Sequence, residues 1–215
     1  MNKLQPPSEI NSSIEMFCKT ISEENPFYVK VEPDKDAVAN ECFPNVEKKI
    51  QKENGQIMYG WQIWIWPEVF VEAEFHGIWK SDDGRIIDIT PKVPSIDNIL
   101  FLPDTNRKYE GFQVANRKMK ISDNGVLDDY FECCDALFAI QNHGDRKFKK
   151  GIVLQNDEIK IIEFLVSMKY SLHRFIYEGN NRNSVCFCNS NLKYKRCCGF
   201  MLRKVIADLK LYYTF

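Results

Sequence analysis

The sequence lacks any apolar run long enough to cross a membrane. No window approaches the roughly 20 consecutive apolar residues of a transmembrane helix, and the polar start at residues 1–7 lacks the apolar core of a signal peptide. The chain also contains no internal repeat and no low-complexity tract, which argues against a repeat or fibrous architecture. We therefore expect a soluble globular protein of the cytoplasm.

The composition fits one domain with an appendage, or two small domains. The chain has 215 residues, of which 44% are hydrophobic and 13% aromatic, so it can bury a substantial core. The near-neutral net charge hides an asymmetry. Residues 1–140 hold 15 Lys and Arg against 24 Asp and Glu, whereas residues 141–215 hold 14 against 6. The basic C-terminal part permits an acidic partner such as RNA, a membrane surface or the acidic half of the same protein.

The chain contains eight cysteines. In a reducing cytosol, eight thiols are better interpreted as metal ligands, a nucleophile and buried side chains than as a disulfide framework. Cys18, Cys133 and Cys134 each fall in a helical pattern among apolar residues, and we expect them to be buried and inert.

Cys42 lies at the predicted start of a helix. Proline cannot donate a hydrogen bond inside a helix and pushes the residue before it toward extended geometry, so this helix is expected to begin at or near Pro44. The free N–H groups and the dipole at a helix N-terminus favour a thiolate. Cys42 is therefore a candidate nucleophile.

A histidine and an aspartate follow on two predicted strands. The alternation of Val69–Trp79 places His76 on the polar face of its strand. A three-residue loop at residues 82–84, with Gly84 left-handed, would join this strand to the next and make His76 and Asp88 diagonal neighbours on one face. A two-residue loop would place them on opposite faces, so the interpretation depends on this turn.

The order of Cys42, His76 and Asp88 on a helix start and two neighbouring strands resembles the transglutaminase-like form of the papain-like group. The resemblance covers residues 27–104. It implies that Cys42 is the nucleophile, that His76 is the base that later protonates the leaving group, and that Asp88 orients the imidazole. The backbone N–H of Cys42 would then supply half of an oxyanion hole.

Two roles in this site remain open at the level of sequence. Asn40 and Gln62 are both candidates for the second oxyanion donor, and Asp104 competes with Asp88 for the orienting role.

Four cysteines form two tight pairs near the C-terminus: Cys186, Cys188, Cys197 and Cys198. This cluster suits a closed tetrahedral zinc site that folds a short segment without a core of its own. The segment resembles the SEC-C motif, which is found at the C-terminus of the SecA translocase motor and in other bacterial proteins. The motif's usual Gly-Ser-Gly is Asn189-Ser190-Asn191 here, and asparagine also tolerates left-handed geometry. The resemblance implies structural Zn²⁺ and contacts with partners.

These observations predict an α+β protein in three parts. Residues 1–122 are expected to form a papain-like or transglutaminase-like core, with a helix packed on an antiparallel sheet, followed by a helical segment at 123–180 and a zinc module at 181–215. The predicted function is a thiol hydrolase or acyl transferase (a peptidase, deamidase or transamidase) that acts on a protein or peptide amide, with a module that recruits a partner or substrate. The alternative is a non-catalytic adaptor that binds a protein or nucleic acid through the zinc module.

Overall fold

The computed structural model describes residues 4–149, 151 and 153–215, which form two compact units, 4–122 and 123–215. We call them the N-terminal unit and the C-terminal unit. The N-terminal unit contains two helices, α1 (Ser12–Lys19) and α2 (Cys42–Glu53), and six strands: β1 (Phe27–Lys30), β2 (Gln56–Trp66), β3 (Phe70–Lys80), β4 (Ile86–Ile87), β5 (Asn98–Pro103) and β6 (Arg117–Lys120). The mixed α and β composition with an antiparallel sheet confirms the coarse fold prediction.

The strands form one antiparallel sheet in the order β1-β5-β2-β3-β4, and β6 also pairs with β3. The β2–β3 hairpin is its centre and pairs over all 11 residues of each strand. Beyond β4, Asp88 forms a parallel bridge with Val31, directly after β1. The chain after β4 therefore contacts the strand at the opposite end of the sheet, which curves the sheet toward closure.

Apolar side chains pack on both faces of the β2–β3 hairpin. On one face, Trp61 and Phe75 belong to a buried apolar cluster, which includes residues of α1 and α2. On the other face, Ile78 packs with Val29 and Phe101. Because both faces are covered, the strand positions of the hairpin are largely buried. His76 shares its face of the strand with Glu72 and Glu74, as the alternation predicts, but at 4% exposure it is buried.

Two other sequence predictions differ from the structure. Apolar spacing predicts a first helix over residues 8–24, but α1 begins at Ser12, because the side chain of Asn11 accepts a hydrogen bond from the backbone N–H of Ile14 and caps it. The sequence after the turn at residues 82–84 predicts a strand over residues 85–90, but β4 spans only Ile86–Ile87.

The C-terminal unit is helical. It contains α3 (Val126–Gln141), α4 (Asn156–Tyr177) and α5 (Cys198–Leu209), with 3₁₀ turns at Gly144–Phe148 and Tyr194–Arg196. Apolar spacing predicts helices over residues 126–141 and 156–178, and the bounds of α3 and α4 agree with these to within one residue. The basic run at residues 146–150 predicts a solvated loop, but residues 146–148 belong to a 3₁₀ turn. Its last residue, Lys150, lies outside the described residues. No helix among the described residues is both long enough and apolar enough to cross a membrane.

Candidate functional site

His76 and Asp88 form a buried ion pair in the N-terminal unit. The His76 Nε2 atom lies 2.9 Å from Asp88 Oδ2, and the two residues are 4% and 0% exposed. Because an ionised carboxylate only accepts hydrogen bonds, Nε2 carries the donated proton. Trp79 pairs with Ile87 across the hairpin, in the register that a three-residue loop predicts. This register brings the imidazole and the carboxylate to the same face.

The pair has shifted titration behaviour. Burial opposes a charge on His76, but the Asp88 carboxylate outweighs burial and raises the pKa of the imidazole to about 9. The nearby Lys92 ammonium opposes this shift, and the Cys42 thiol adds to it when ionised. Burial alone would raise the pKa of Asp88, yet His76 and Lys92 lower it to about 2. The geometry therefore favours an imidazolium beside a carboxylate at neutral pH.

Cys42 is the first residue of α2 and is 8% exposed. The helix is held against β3 by Phe43, whose ring centroid lies 5.3 Å from that of Phe75. Gly77 permits this approach, because a Cβ atom there would lie 2.9 Å from Phe43 Cδ1. No hydrogen bond joins Cys42 Sγ to the His76 ring in the described part of the chain, so the thiol and the imidazole interact through charge.

The outer edge of β3 is open beside His76. Along this edge β6 pairs with residues 70–73 and β4 with residues 79–80. In the sheet as described, residues 74–78 therefore have a strand partner only on the β2 side. This gap in the ladder leaves the backbone around His76 free of a neighbouring strand.

A chain of hydrogen bonds links the first turn of α2 to the ion pair. The Asn45 side chain donates to Thr90 Oγ1 at 3.2 Å, and the Thr90 backbone N–H donates to Asp88 Oδ1 at 2.9 Å. Asn45 also holds the loop before α2, with its side chain donating to the Val38 carbonyl at 2.8 Å and accepting from the Val38 N–H at 3.0 Å. The helix that carries Cys42 and the carboxylate that pairs with His76 are thus positioned together.

Two further polar residues, Lys92 and Gln62, lie next to the His76–Asp88 ion pair, and we call these four residues the buried cluster. The Lys92 Nζ atom lies 2.8 Å from Asp88 Oδ2, 2.8 Å from Gln62 Oε1 and 3.3 Å from His76 Nε2. Gln62 is 1% exposed, and its Nε2 atom has no hydrogen-bond partner. Gln62 is among the residues that the sequence indicates, whereas Lys92 is not, because a lysine after Thr90-Pro91 is typical of a solvated loop.

The other sequence candidates lie apart from the ion pair. Asp104 accepts hydrogen bonds from Trp61 Nε1 at 3.0 Å and from the Asn106 backbone N–H at 3.1 Å. Of the two competing aspartates, Asp88 is therefore the one that contacts His76. Asn40 is exposed and has a left-handed backbone with φ of 65°.

The second candidate site is a thiol cluster in the C-terminal unit. The Sγ atoms of Cys186, Cys188, Cys197 and Cys198 all lie within 4.8 Å of one another. Tetrahedral zinc with Zn–S bonds of about 2.3 Å requires sulfur atoms about 3.8 Å apart, so the cluster fits this ion. The backbone supports the grouping, because the Cys186 N–H donates to the Leu192 carbonyl at 2.8 Å.

The loop between the two cysteine pairs uses left-handed asparagines. Asn189 and Asn191 both have φ of 60°, the geometry that asparagine was expected to tolerate in place of glycine. Further along, a Cβ on Gly199 would lie 2.6 Å from the Tyr194 ring. Glycine at 199 therefore allows the start of α5 to pack closely on Tyr194.

Tyr194 and Asp129 join the thiol cluster to the helices of the same unit. The buried Tyr194 hydroxyl donates to Asp129 Oδ2 at 3.0 Å. Arg182 and Arg203 also donate to this carboxylate, at 3.1 and 2.9 Å. Asp129 is 3% exposed and lies on α3. Its carboxylate therefore connects α3 to α5 and to residues 182–198, the segment that carries the four cysteines, which we call the cysteine loop. No motif in the sequence indicates this network.

Comparison with known proteins identifies the second site and not the first. Residues 182–200 match the profile of the SEC-C motif. Searches of the curated proteins and of the solved structures return no match. The motif and the four grouped thiols together fit a zinc-binding module.

Proposed function

We propose that the N-terminal unit is a cysteine-dependent hydrolase or acyl transferase that acts on an amide. The observation that carries this proposal is the buried His76–Asp88 pair at 2.9 Å, beside a thiol at the first residue of a helix. A buried imidazole with a raised pKa, next to an ionisable thiol, is the arrangement that stabilises a thiolate at neutral pH.

The proposed reaction uses these groups in sequence. The Cys42 thiolate attacks the amide carbon, an S–C bond forms, and the carbonyl electron pair moves to oxygen. His76 then gives its proton to the amide nitrogen, the C–N bond breaks, and an amine or ammonia leaves. Water or an acceptor amine, deprotonated by His76, attacks the thioester and releases the thiolate. Asp88 remains ionised and holds the imidazole in orientation.

An oxyanion needs two donors in such a site. The backbone N–H of Cys42 supplies one, because N–H groups in the first turn of a helix have no partner within it. We assign the second to the side-chain N–H of Gln62, which is buried and without a partner. Buried donors are almost always satisfied, so an orphaned amide beside a reactive imidazole is a suitable group to receive a substrate oxygen.

The C-terminal unit would recruit a partner or a substrate through its zinc-binding module. Apolar and basic side chains are exposed there: Leu192, Lys193, Lys195, Phe200 and Met201. These exposed side chains also favour the second candidate function, a non-catalytic adaptor that binds a protein or nucleic acid through the module.

The decisive experiment measures the alkylation rate of each cysteine by iodoacetamide as a function of pH, by mass spectrometry of zinc-loaded protein. Cys42 is expected to react well below pH 8 and to slow by at least about tenfold in His76→Ala. Cys18 is an internal reference, because burial raises the pKa of its thiol to about 12. His143→Ala, in the C-terminal unit, is the matched control. A Cys42 that reacts no faster than a free thiol would leave the adaptor as the better account.

A further inference from the structure

Lys92 makes three contacts at the buried cluster although it has no place in the proposed reaction. Its ammonium group lies within 3.3 Å of Asp88, Gln62 and His76, and its side chain is 12% exposed. Burying an ammonium costs free energy unless its partners compensate. Here Asp88 supplies the opposite charge and Gln62 supplies an acceptor. The placement therefore ties Lys92 to the geometry of the other three side chains.

Lys92 decides which end of the Gln62 amide faces the ammonium. A lysine ammonium only donates hydrogen bonds, whereas a glutamine side chain has an acceptor end and a donor end. With Lys92 in place, Oε1 turns toward Nζ and the N–H₂ group turns away from it. Without the ammonium, the two amide orientations would compete. The unpaired state of Gln62 Nε2 is thus a consequence of its neighbour.

We propose that Lys92 is a positioning residue that presents the Gln62 side-chain N–H to the substrate oxygen. This inference rests on the proposed function, because it gives the amide of the same site its role in the acyl transfer. Lys92 touches neither the thiol nor the reacting carbon in this scheme. It acts through Gln62 and shares Asp88 with His76, so removing it should impair the step that forms an oxyanion more than the reactivity of the thiolate.

Two reactions of the same thiol separate these effects. Acylation of Cys42 by p-nitrophenyl acetate passes through a tetrahedral oxyanion, whereas alkylation by iodoacetamide is a displacement at carbon that forms none. Both rates are taken at the pH of their maximum, with the Cys42→Ala background subtracted. Gln62→Leu should lower acylation about a hundredfold, and Lys92→Met at least about tenfold. Alkylation should change less than about threefold in both.

A double variant tests whether Lys92 acts through Gln62. If it does, the double variant Lys92→Met, Gln62→Leu is acylated at the same rate as Gln62→Leu alone. In both proteins the Gln62 amide is absent, so Lys92 has no side chain to orient. Lys92→Arg, which keeps a charged donor, should restore most of the acylation rate. Lys30→Met is the matched control, since Lys30 is exposed and pairs with Glu32 on the surface. Lys92→Gln replaces Lys92→Met if the methionine variant does not fold, because a glutamine at 92 no longer fixes the orientation of Gln62.

Three results would overturn the proposal. These are unchanged acylation in Lys92→Met, an equal loss of alkylation and acylation, and a further loss when Lys92→Met is added to Gln62→Leu. An equal loss would assign Lys92 to the thiol and imidazole pair instead. Failure of the proposed function looks different, because wild-type Cys42 would then react with neither reagent faster than a free thiol.

Discussion

The imidazole of His76 and the carboxylate of Asp88 meet at 2.9 Å in a place where almost no solvent reaches either group. The carboxylate is held independently of the imidazole, because Thr90 donates to one of its oxygens and Lys92 to the other. Replacing His76 therefore leaves Asp88 partnered, and the effects of such a change report on the imidazole itself.

The raised pKa of His76 predicts a stability that depends on pH. The folded-state pKa of about 9 lies above the ordinary value of 6.5, so the protonated form stabilises the fold. This contribution is complete below about pH 6.5, is lost as the pH rises through about 9, and amounts to about 3 kcal/mol. We expect the free energy of unfolding to fall by about this much more in wild type than in His76→Gln between pH 6 and pH 10.

Tryptophan fluorescence during urea unfolding measures this effect in the N-terminal unit alone, because all four tryptophans lie between residues 61 and 79. Lysine and tyrosine titrations at high pH are common to both proteins and cancel in the difference. His143→Gln serves as the control and should behave as wild type. Parallel pH profiles for wild type and His76→Gln would show that the imidazole is not charged in the folded state.

Asp88 and Asp104 should have different effects on the thiol. Asp88→Asn removes the charge that raises the pKa of His76, so the imidazolium is less populated and the thiolate loses its counter-ion. We expect alkylation of Cys42 near pH 6 to slow by at least about tenfold in Asp88→Asn. Asp104→Asn is the matched control, because its carboxylate contacts Trp61 instead, and it should change the rate less than about threefold. Equal effects would remove Asp88 from its orienting role.

The sequence predicted the elements that local physical chemistry determines. Pro44 predicted a helix that begins at or near it, and α2 begins two residues earlier, at Cys42, which leaves Pro44 in the first turn, where its missing N–H group costs no hydrogen bond. The bounds of α3 agree with the helix that apolar spacing predicts over residues 126–141. The sequence located the turn at residues 82–84 and left two loop lengths open, and the observed pairing of Trp79 with Ile87 is the one that a three-residue loop requires. These are short-range effects, which a sequence displays directly.

What the sequence could not predict depends on contacts between distant segments. The burial of His76 requires both faces of the β2–β3 hairpin to be covered, which alternation along one strand cannot reveal. Lys92 approaches Gln62, which lies 30 residues earlier, only because the chain after β4 folds back across the sheet. Asp129 likewise accepts hydrogen bonds from side chains up to 74 residues away in the sequence. The sequence of α3 around Asp129 indicates only that this residue occupies a polar position in an amphipathic helix.

The thiol cluster predicts one zinc ion per chain. Four thiolates form a closed set with no position left for water, so the ion is expected to be structural. Cys198→Ser should abolish stoichiometric zinc, measured by atomic emission after gel filtration. Cys134→Ser is the matched control, because Cys134 lies on α3 outside the cluster, and it should retain one equivalent. Zinc retained by Cys198→Ser would mean that the cluster is not the site.

Asp129 should couple the helices of the C-terminal unit to metal binding. Its buried carboxylate accepts from Tyr194 and Arg182 within the SEC-C match, and from Arg203 on α5. Asp129→Asn leaves these donors with a neutral partner. The cost is about 2 kcal/mol, because a hydrogen bond to a charged group contributes about 1.5–3 kcal/mol and both guanidinium groups are partly exposed.

Because the cysteine loop has no core of its own, part of this loss should appear in the affinity for zinc. We expect Asp129→Asn to bind zinc at least about tenfold more weakly in competition with a chromogenic chelator. Asp128→Asn removes a charge one position away, from a side chain that is 46% exposed, and should change the affinity less than about threefold. An equal loss in both variants would indicate a general effect of negative charge near the module, and the specific role of the Asp129 network would then be wrong.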